Sequence, residues 1–279
     1  MKALFDSVSF DCSTKVTKAY STSFSTAVKM LGPSIRQDIY NIYGFVRFAD
    51  EIVDSFHDFN KEELLLKFER DLKEALFNKI SLNPILNSFQ YTVNKYEIDY
   101  ELIEAFMKSM KQDLIQNEYE TREDYEAYIY GSADVVGLMC LQVFVNGDKK
   151  KYEELKAGAM RLGSAFQKVN FLRDLKDDFE KLNRSYFPNT DLNYLNEHSK
   201  KEIIEEIEND FEVAFESIKK LPIEARFGVY TAYRYYKRLL KKLKNTPSTE
   251  IKNTRIRVPD YQKIELLARC YVKYRLNLL

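Results

Sequence analysis

A twelve-residue stretch without glycine or proline, residues 167–178, constrains the fold of this chain more than any other feature. At 100° per residue its polar side chains fall within an arc of about 80° on a helix. Apolar side chains fill the neighbouring arc, so the polar stripe borders the predicted core instead of opposing it. The stretch therefore predicts a helix with a polar stripe at the edge of the core, formed by Gln167, Asn170, Asp174 and Asp178.

Carboxylates beside a core are costly unless they are paired or bind a metal ion. Asp174 and Asp178 are one helical turn apart, about 6 Å along the axis. That spacing lets two carboxylates share a hard cation such as Mg²⁺. A solvated helix edge with capping acids explains the same pattern, and the stretch alone leaves both interpretations open.

A second polar stripe lies on the helix predicted from Pro33 to about Phe56, where proline is well placed to open a helix. Asp pairs at a spacing of four also arise by chance, so the pair by itself indicates little. The stronger signal is a cationic or amide side chain one turn before an Asp pair. Arg47 has this position in the second stripe, and Asn170 has it in the first. The second stripe consists of Tyr43, Arg47, Asp50 and Asp54.

The rest of the chain also favours helices. Eight glycines and six prolines are few for 279 residues, which argues against a sandwich or a barrel. We therefore expect an all-α fold with a single domain over residues 1–279. Helical patterns cover residues 14–31, 33–56, 60–79, 84–96, 99–118, 121–146, 150–182, 200–220, 223–244 and 260–277.

Composition excludes several classes of function. Lysine plus arginine equals aspartate plus glutamate, 43 against 43, so no global charge indicates a nucleic-acid partner. The chain has two histidines, far apart in sequence, which excludes a multi-histidine zinc site and argues against a Ser-His-Asp triad. Its three cysteines have no metal or redox spacing, as in reduced cytosolic proteins. The longest apolar run, residues 135–145, is too short to span a bilayer.

Hydroxyl side chains cluster at residues 20–25, YSTSFS, inside the first predicted helix. Such residues are mediocre helix formers because they compete for backbone hydrogen bonds. One interpretation is that they bond to carbonyls one turn earlier. The other is that they form a set of neutral donors facing an anion.

Small residues mark a second segment, residues 128–138, which contains Gly131, Ser132, Ala133 and Gly137. Two glycines cost about 1 kcal/mol each in a helix interior. Either neighbouring helices pack closely here, or the segment is a smooth wall along which a long apolar chain lies. In the second case, an aromatic residue replacing Ala133 or Gly137 should favour shorter substrates.

The two polar stripes together predict a diphosphate site. Facing helices with inward Asp pairs can chelate several Mg²⁺ ions, which neutralise a diphosphate and make it a leaving group. An apolar bundle below them can house an isoprenoid tail and shield a carbocation. Side chains able to hold phosphate oxygens are Arg47, Arg173, Ser21 and Ser23.

Several segments resemble the squalene/phytoene synthase family in identity, order and spacing. The resemblance covers nearly the whole chain and implies an isoprenoid synthase-type helical bundle. It also implies head-to-head condensation of two prenyl diphosphates through a cyclopropylcarbinyl diphosphate. The matching segments are Arg47 with residues 50–54 (DEIVD), and residues 21–24 (STSF), 128–137, 167–178, 184–188 (RSYFP) and 255–259 (RIRVP).

The resemblance assigns roles to residues at matching positions. Mg²⁺ and diphosphate would be held by Asp50, Asp54, Asn170, Asp174 and Asp178. The substrate sites would be lined by Ser21, Ser23, Arg47, Tyr128 and Gln167, and by a looser match Tyr186, Tyr236 and Arg255. Two departures bear on the path of one loop and on the local pocket shape: Asn183, where the family often has glycine, and Asp134, where a small residue is usual.

Bacterial phytoene synthases look closest, so the resemblance implies that two geranylgeranyl diphosphates are joined to phytoene in carotenoid biosynthesis. Tyr128 or a neighbouring hydroxyl is a candidate proton acceptor. The expected cofactor is Mg²⁺, with Mn²⁺ as a substitute. NADPH is not expected, since this reaction takes up no hydride. Two alternatives stay open: a squalene or dehydrosqualene synthase acting on farnesyl diphosphate, and a catalytically silent helical scaffold.

The last predicted helix indicates contact with a membrane surface, because apolar and basic side chains alternate along it. Core packing of the helix explains the pattern equally well. We expect a cytoplasmic enzyme at the inner face of the membrane, with downstream carotenoid enzymes as partners. The apolar residues are Leu266, Leu267, Tyr271, Tyr274 and Leu278, beside Arg269, Lys273 and Arg275.

Overall fold

The computed structural model describes residues 1–116, 118–119, 121–182, 184–188 and 195–276, excluding the side chains of Phe179, Lys181 and Leu182. Within these ranges the chain is helical with no β-strand, which confirms the predicted all-α fold. The helices are α1 (Lys2–Tyr20), α2 (Thr22–Lys29), α3 (Pro33–Ser55), α4 (Lys61–Asn78), α5 (Pro84–Tyr96), α6 (Tyr100–Gln112), α7 (Arg122–Ile129), α8 (Val135–Phe144), α9 (Lys149–Leu182), α10 (Glu197–Lys220), α11 (Ile223–Asn245), α12 (Ser248–Ile251) and α13 (Asp260–Arg275).

The 34-residue helix α9 is the axis of the bundle and carries the stretch 167–178. It packs along α10, and a buried ion pair joins the two helices: Lys168 Nζ lies 2.6 Å from an oxygen of Asp210. Lys168 also pairs with Glu206 at 2.5 Å. This pairing turns the cationic side of α9 towards α10. The polar stripe within residues 167–178 lies on a different side of α9 from the side that faces α10.

Helices α8 and α9 approach each other closely through glycine. A Cβ added at Gly137 would lie 2.8 Å from the carbonyl oxygen of Ala159, and one at Gly163 would lie 2.7 Å from that of Ala133. Neither position has room for a side chain without moving backbone. Close packing therefore accounts for part of the small-residue segment, and an aromatic residue at Gly137 would disrupt the helix pair.

The hydroxyl cluster marks a break between two helices, so the prediction of one helix over residues 14–31 is wrong. The first helix begins at Lys2 and ends at Tyr20, and Ser21 adopts an extended conformation with φ −145°. The Ser21 hydroxyl accepts a hydrogen bond from the Phe24 backbone N–H at 3.2 Å. Serine favours this N-cap position because its side chain satisfies a free N–H of the first turn. Further on, the Thr26 hydroxyl bonds back to the carbonyl of Thr22 at 2.8 Å.

The predicted helix over residues 121–146 is also interrupted. Thr121 caps its start by accepting a hydrogen bond from Asp124 N–H at 3.1 Å, as the sequence suggested. A π-helical turn over Tyr130–Asp134 then separates α7 from α8. Such turns insert one extra residue into an α-helix and often occur at functional sites. Here the turn contains Ser132 and Ala133.

Helix α13 packs on α11, so part of the apolar set predicted for a membrane surface lies against the core, whereas Tyr271 is 52% exposed. Leu266 is only 5% exposed, and both Leu267 and Tyr274 pack against the core. Leu278 lies outside the described residues. One stretch, Arg122–Phe144, has the length and hydropathy of a membrane-crossing helix, but 56% of its most apolar window is buried inside the fold, and core helices pass the same test.

Candidate active site

A cavity of about 290 Å³ runs into the bundle between α2, α3, α8, α9, α10 and α11. On α9 its lining extends from Asn170 to Leu155, about 22 Å along the helix axis. Its wall is mostly apolar and includes Ser132, Ala133 and Gly137. The small-residue segment therefore serves both purposes, close helix packing and a smooth cavity wall.

Polar side chains gather at the Asn170 end of this cavity. Tyr236 donates a hydrogen bond to Asn170 Oδ1 at 3.4 Å. Tyr43 lies near Ser21, and burial raises the pKa of Tyr43 to about 12. Gln167 also lines this end. The structure thus brings five residues together at the polar end of the cavity, which we call the throat. They are Ser21, Tyr43, Gln167, Asn170 and Tyr236.

Arg47 lies one turn beyond Tyr43 on α3, and the acids Asp50 and Asp54 lie about two and three turns beyond it. Arg47 donates to Asp50 at 2.7 Å and also bonds to Glu51. Its guanidinium lies over the ring of Tyr20, 4.4 Å from the centroid. Burial, and then the negative charge of Asp54, raise the pKa of Asp50 to about 7.

The acids of α9 lie beside those of α3. Burial, followed by the charges of Asp174 and Asp54, raises the pKa of Asp178 to about 8. Asp54 belongs to α3, so the negative charges of the two helices lie within electrostatic range of each other. Asp174 is held by Arg173, at 2.9 Å, and by Arg255, at 2.7 Å. The two stripes lie within electrostatic range of each other, and the late Arg255 reaches Asp174 on α9.

A buried arginine that the residue patterns did not single out connects the two halves of the site. Arg184 is 5% exposed and donates to Asp54 at 2.8 Å and to the backbone carbonyl of Asp113 at 2.8 Å. Its own backbone N–H donates to the carbonyl of Asp178 at 3.0 Å. Arg184 therefore fixes an acid of α3 relative to α9. Neighbouring Asn183 lies outside the described residues.

Asp113 is the second residue that the patterns missed. It is 7% exposed at the C-terminal end of α6, and burial raises the pKa of its carboxyl to about 7. The Tyr128 hydroxyl donates to it at 3.1 Å. A lone Asp at a helix end carries no periodic signal, so only the three-dimensional arrangement identifies it.

Tyr128 and Tyr186 belong to a buried aromatic stack beside the acids. Tyr186 stacks on Phe171 with ring centroids 3.9 Å apart, and Tyr128 lies 5.5 Å from Tyr186. Burial raises the pKa of the Tyr128 phenol well above its ordinary value. Tyr128 is therefore a neutral hydroxyl that faces Asp113. Of the two predicted serines, Ser21 lies at the throat and Ser23 lies half-buried in the first turn of α2.

The acidic pairs suit a metal ion that arrives together with a diphosphate. Among the described residues, no three His, Cys, Asp or Glu side chains lie close enough to hold an ion between them. Mg²⁺ usually binds one or two carboxylates and completes its shell with waters and substrate phosphates. Burial contributes most to the raised pKa of Asp50 and of Asp178, and repulsion from neighbouring carboxylates adds to it; a cation would relieve that repulsion. The donor set, all hard oxygen, fits Mg²⁺.

Asp134, the departure noted in the sequence, points away from the cavity. It is 7% exposed and accepts a hydrogen bond from the Ser164 hydroxyl at 2.6 Å. It is not among the residues that line the cavity. The cavity wall is therefore formed by its small neighbours, and Asp134 belongs to the contact between the π-helical turn and α9.

The fold and the site together define an isoprenoid synthase-type bundle, in which an apolar cavity opens onto two acidic helices. The sequence profile of the squalene/phytoene synthase family matches residues 17–262. This match covers most of the chain, which belongs to that family and is an enzyme of the prenyltransferase type.

Similar proteins are found among curated sequences and solved structures. A phytoene synthase of Arthrospira platensis is 26% identical over 96% of this chain and 94% of its own. A 15-cis-phytoene synthase of Synechocystis is 27% identical over 93% of this chain and 83% of its own. A crystal structure of a dehydrosqualene synthase with a ligand matches with a TM-score of 0.80 at 22% identity, over 97% of this chain and 98% of that one.

Proposed function

We propose that this protein is a phytoene synthase, which joins two geranylgeranyl diphosphates head to head through a cyclopropylcarbinyl diphosphate. The observation that carries the proposal is the long apolar cavity whose polar end meets two adjacent acidic pairs. The two phytoene synthases described above, similar over most of their length, support it. The intact acids argue against a silent scaffold, which has no use for carboxylates that repel each other. We further propose that residues 1–279 form a single domain.

In this proposal the acids and arginines at the cavity mouth hold the diphosphates. Asp50, Asp54, Asn170, Asp174 and Asp178 would hold Mg²⁺, or Mn²⁺ in its place. The bound metal supplies positive charge that stabilises the leaving diphosphate. Arg47, Arg173 and Arg255, which already lie against these acids, are placed to donate to phosphate oxygens.

The throat and the cavity position the apolar part of the substrate. Tyr43, Gln167, Asn170 and Tyr236 surround the point where a prenyl tail leaves its diphosphate. Below them the wall is apolar and excludes water, which protects a carbocation from hydrolysis. The ring of Phe166 stacks on Tyr236, with centroids 4.0 Å apart, and presents an aromatic surface to the cavity. Such surfaces attract cationic centres.

Tyr128 and Asp113, which lie beside the acids and not in the lining of the cavity, form the proposed proton acceptor. The Tyr128 phenol is neutral, so it can take a proton from a cation only if it passes its own proton on. Its hydrogen bond to Asp113 provides that route. Because burial raises the pKa of Asp113 to about 7, this carboxyl can hold a proton near neutral pH. The aspartate is the base and the tyrosine conveys the proton.

Product analysis tests the proposed function directly. The purified protein is supplied with geranylgeranyl or farnesyl diphosphate and Mg²⁺, with and without NADPH, and the extracted hydrocarbon is identified by mass spectrometry. We expect phytoene from geranylgeranyl diphosphate, independent of NADPH, and no product in excess EDTA. Preferential turnover of farnesyl diphosphate, with NADPH diverting the product to squalene, would establish the squalene or dehydrosqualene synthase alternative.

We also propose that the enzyme works at the inner face of the cytoplasmic membrane. Its substrates carry long apolar tails and its product has no polar group, so both partition into lipid. A peripheral position would let the product pass to downstream carotenoid enzymes. Flotation with liposomes tests this location.

A further inference from the structure

A second cavity, about 550 Å³ in volume, lies between α11 and α13, outside the candidate active site. Its floor includes the buried side chains of Leu266 and Cys270. The charged side chains in the rest of its lining are all positive. Four cationic residues line this cleft and no acidic one does: Arg234, Arg238, Arg269 and Lys273.

Three of these cations have no carboxylate partner among the described residues. Arg234 donates to the hydroxyl of Tyr230 at 3.1 Å, a neutral acceptor. Arg238 and Lys273 have no hydrogen bond or ion pair within the described part of the chain. Only Arg269 is paired, with Glu265 at 2.5 Å. Elsewhere on the surface, basic residues commonly pair with acids, so the cleft concentrates uncompensated positive charge.

The rim of the cleft is apolar and faces solvent. Val272, which lines the cleft, is 54% exposed, and Ile264 on the same helix is 70% exposed. With Tyr261 and Ala268 they follow the i, i+3, i+7, i+11 pattern of one helix face. Helix α13 therefore has a buried side against α11 and a second apolar side directed outwards. This outward side consists of residues other than the apolar ones predicted from sequence, of which Leu266 is buried and Leu267 and Tyr274 are half-buried.

We propose that this cleft binds the phosphate of an anionic phospholipid and docks the protein on a membrane by α13. The cations suit a phosphate headgroup, and the exposed face beside them suits the acyl boundary. A free phosphate would use the cations but would leave that apolar face in water. The inference rests on the proposed membrane location and adds to it the contact surface and the lipid chemistry.

Flotation with two kinds of vesicle tests the proposal. We expect the protein to float with vesicles of phosphatidylglycerol and phosphatidylcholine, but not with phosphatidylcholine alone. The double variant Arg238→Gln, Lys273→Gln should lower the partition coefficient about 30-fold, since two basic residues at an anionic surface are lost. Neither residue has a partner among the described residues, so the fold should persist, which circular dichroism checks.

A matched control separates the cleft from general attraction between charges. Lys149→Gln with Lys150→Gln removes the same charge from the exposed start of α9. This control should float like the wild type. Equal losses in both double variants, or no flotation with the anionic vesicles, would overturn the proposal.

Two further measurements are needed. The first distinguishes a lipid phosphate from free phosphate, and the second distinguishes membrane docking from the proposed activity. Inorganic phosphate is added in a thermal-shift assay. A stabilisation that the cleft variant abolishes, without flotation of the wild type, would show a free-anion site and overturn the lipid assignment. Turnover of detergent-dispersed substrate is measured separately. A protein that floats through the cleft but has no activity keeps the docking surface and loses only the proposed function.

Discussion

Arg184 shows how a single side chain can align a site built from two distant segments. One guanidinium bonds both to Asp54 on α3 and to the backbone of Asp113, the residue that follows α6. The planar fork of arginine can serve two acceptors at once, which a single ammonium cannot do with the same geometry. We therefore regard Arg184 as a positioning residue for the acidic pairs.

Arg184→Lys should weaken the response to metal more than it weakens folding. The variant keeps the positive charge but loses one of the two anchors. We expect the Mg²⁺ concentration for half-maximal activity to rise at least tenfold, as for other residues that orient metal ligands. Mg²⁺ titrations of turnover measure this effect. Arg122→Lys, at an arginine paired with Glu206 instead, is the matched control and should leave the titration unchanged. An unaltered Mg²⁺ response in Arg184→Lys would show that the contact has no positioning role.

Asp134 should make the stability of the protein depend on pH. Burial raises the pKa of Asp134 to about 6, from an ordinary 3.8, despite Ser164, Lys168 and Arg161 nearby, and with Asp210 adding to the rise. As pH rises, the Asp134 carboxyl therefore loses its proton at a lower pH in the unfolded chain than in the folded protein. The contribution of this carboxyl to the free energy of unfolding is complete below pH 3.8 and is lost as pH rises through about 6.

Asp134→Asn should consequently stabilise the protein at pH 7, by on the order of 2–3 kcal/mol, and by much less near pH 4.5. Denaturant unfolding at both pH values measures the difference. Asp58→Asn, at an exposed aspartate, should change neither value. A stabilisation that is the same at both pH values would contradict the assigned titration.

At the scale of helices, sequence periodicity predicted most of the helices. The predictions that failed depended on local features that periodicity does not show. The stripes on α3 and α9 were predicted because i, i+4 spacing alone places side chains on one face. The break at Ser21 was missed because a capping serine and a helical serine look alike without the backbone conformation. The outward apolar face of α13 was not identified from sequence, because a helix with two apolar sides does not reveal which side is buried.

Helices α9 and α10 set the depth of the cavity, and Ser217 on α10 tests that depth. Ser217 lines the cavity beside Gly158, which lies twelve residues before Asn170, about 18 Å along the axis. Ser217→Phe should fill the deep end and shift preference from geranylgeranyl to farnesyl diphosphate by about tenfold or more in kcat/KM, since one lost methylene alone is worth about 1 kcal/mol or more.

The comparison of the two substrates by product yield measures this shift. Val213→Phe, at an exposed position of the same helix, is the control and should leave the preference unchanged. Unchanged preference in Ser217→Phe, in a folded protein, would mean that the tail does not reach this depth.

At the scale of the whole molecule, the fold was predictable from sequence but the completed site was not. Few glycines and prolines and continuous amphipathic patterns sufficed for an all-α fold. The two acidic stripes could be identified because each repeats along one helix. Periodicity could not identify Asp113 and Arg184, because they reach the site from a helix end and from a loop. Arg184 lies in a segment that resembles the family, but no residue pattern assigned it a role. Tertiary packing alone brings both side chains to the acids.

The central claim is that the adjacent acidic pairs of α3 and α9 act on a prenyl diphosphate with a divalent metal. The most direct measurement is diphosphate release from geranylgeranyl diphosphate and Mg²⁺ by the wild type and by Asp178→Asn. We predict that release falls by about two to three orders of magnitude in the variant, because a metal ligand contributes several kcal/mol. The metal-free variant should be at least as stable as the wild type, since one of the repelling carboxylates is gone. Near-normal release by Asp178→Asn, or by the wild type in excess EDTA, would contradict the account.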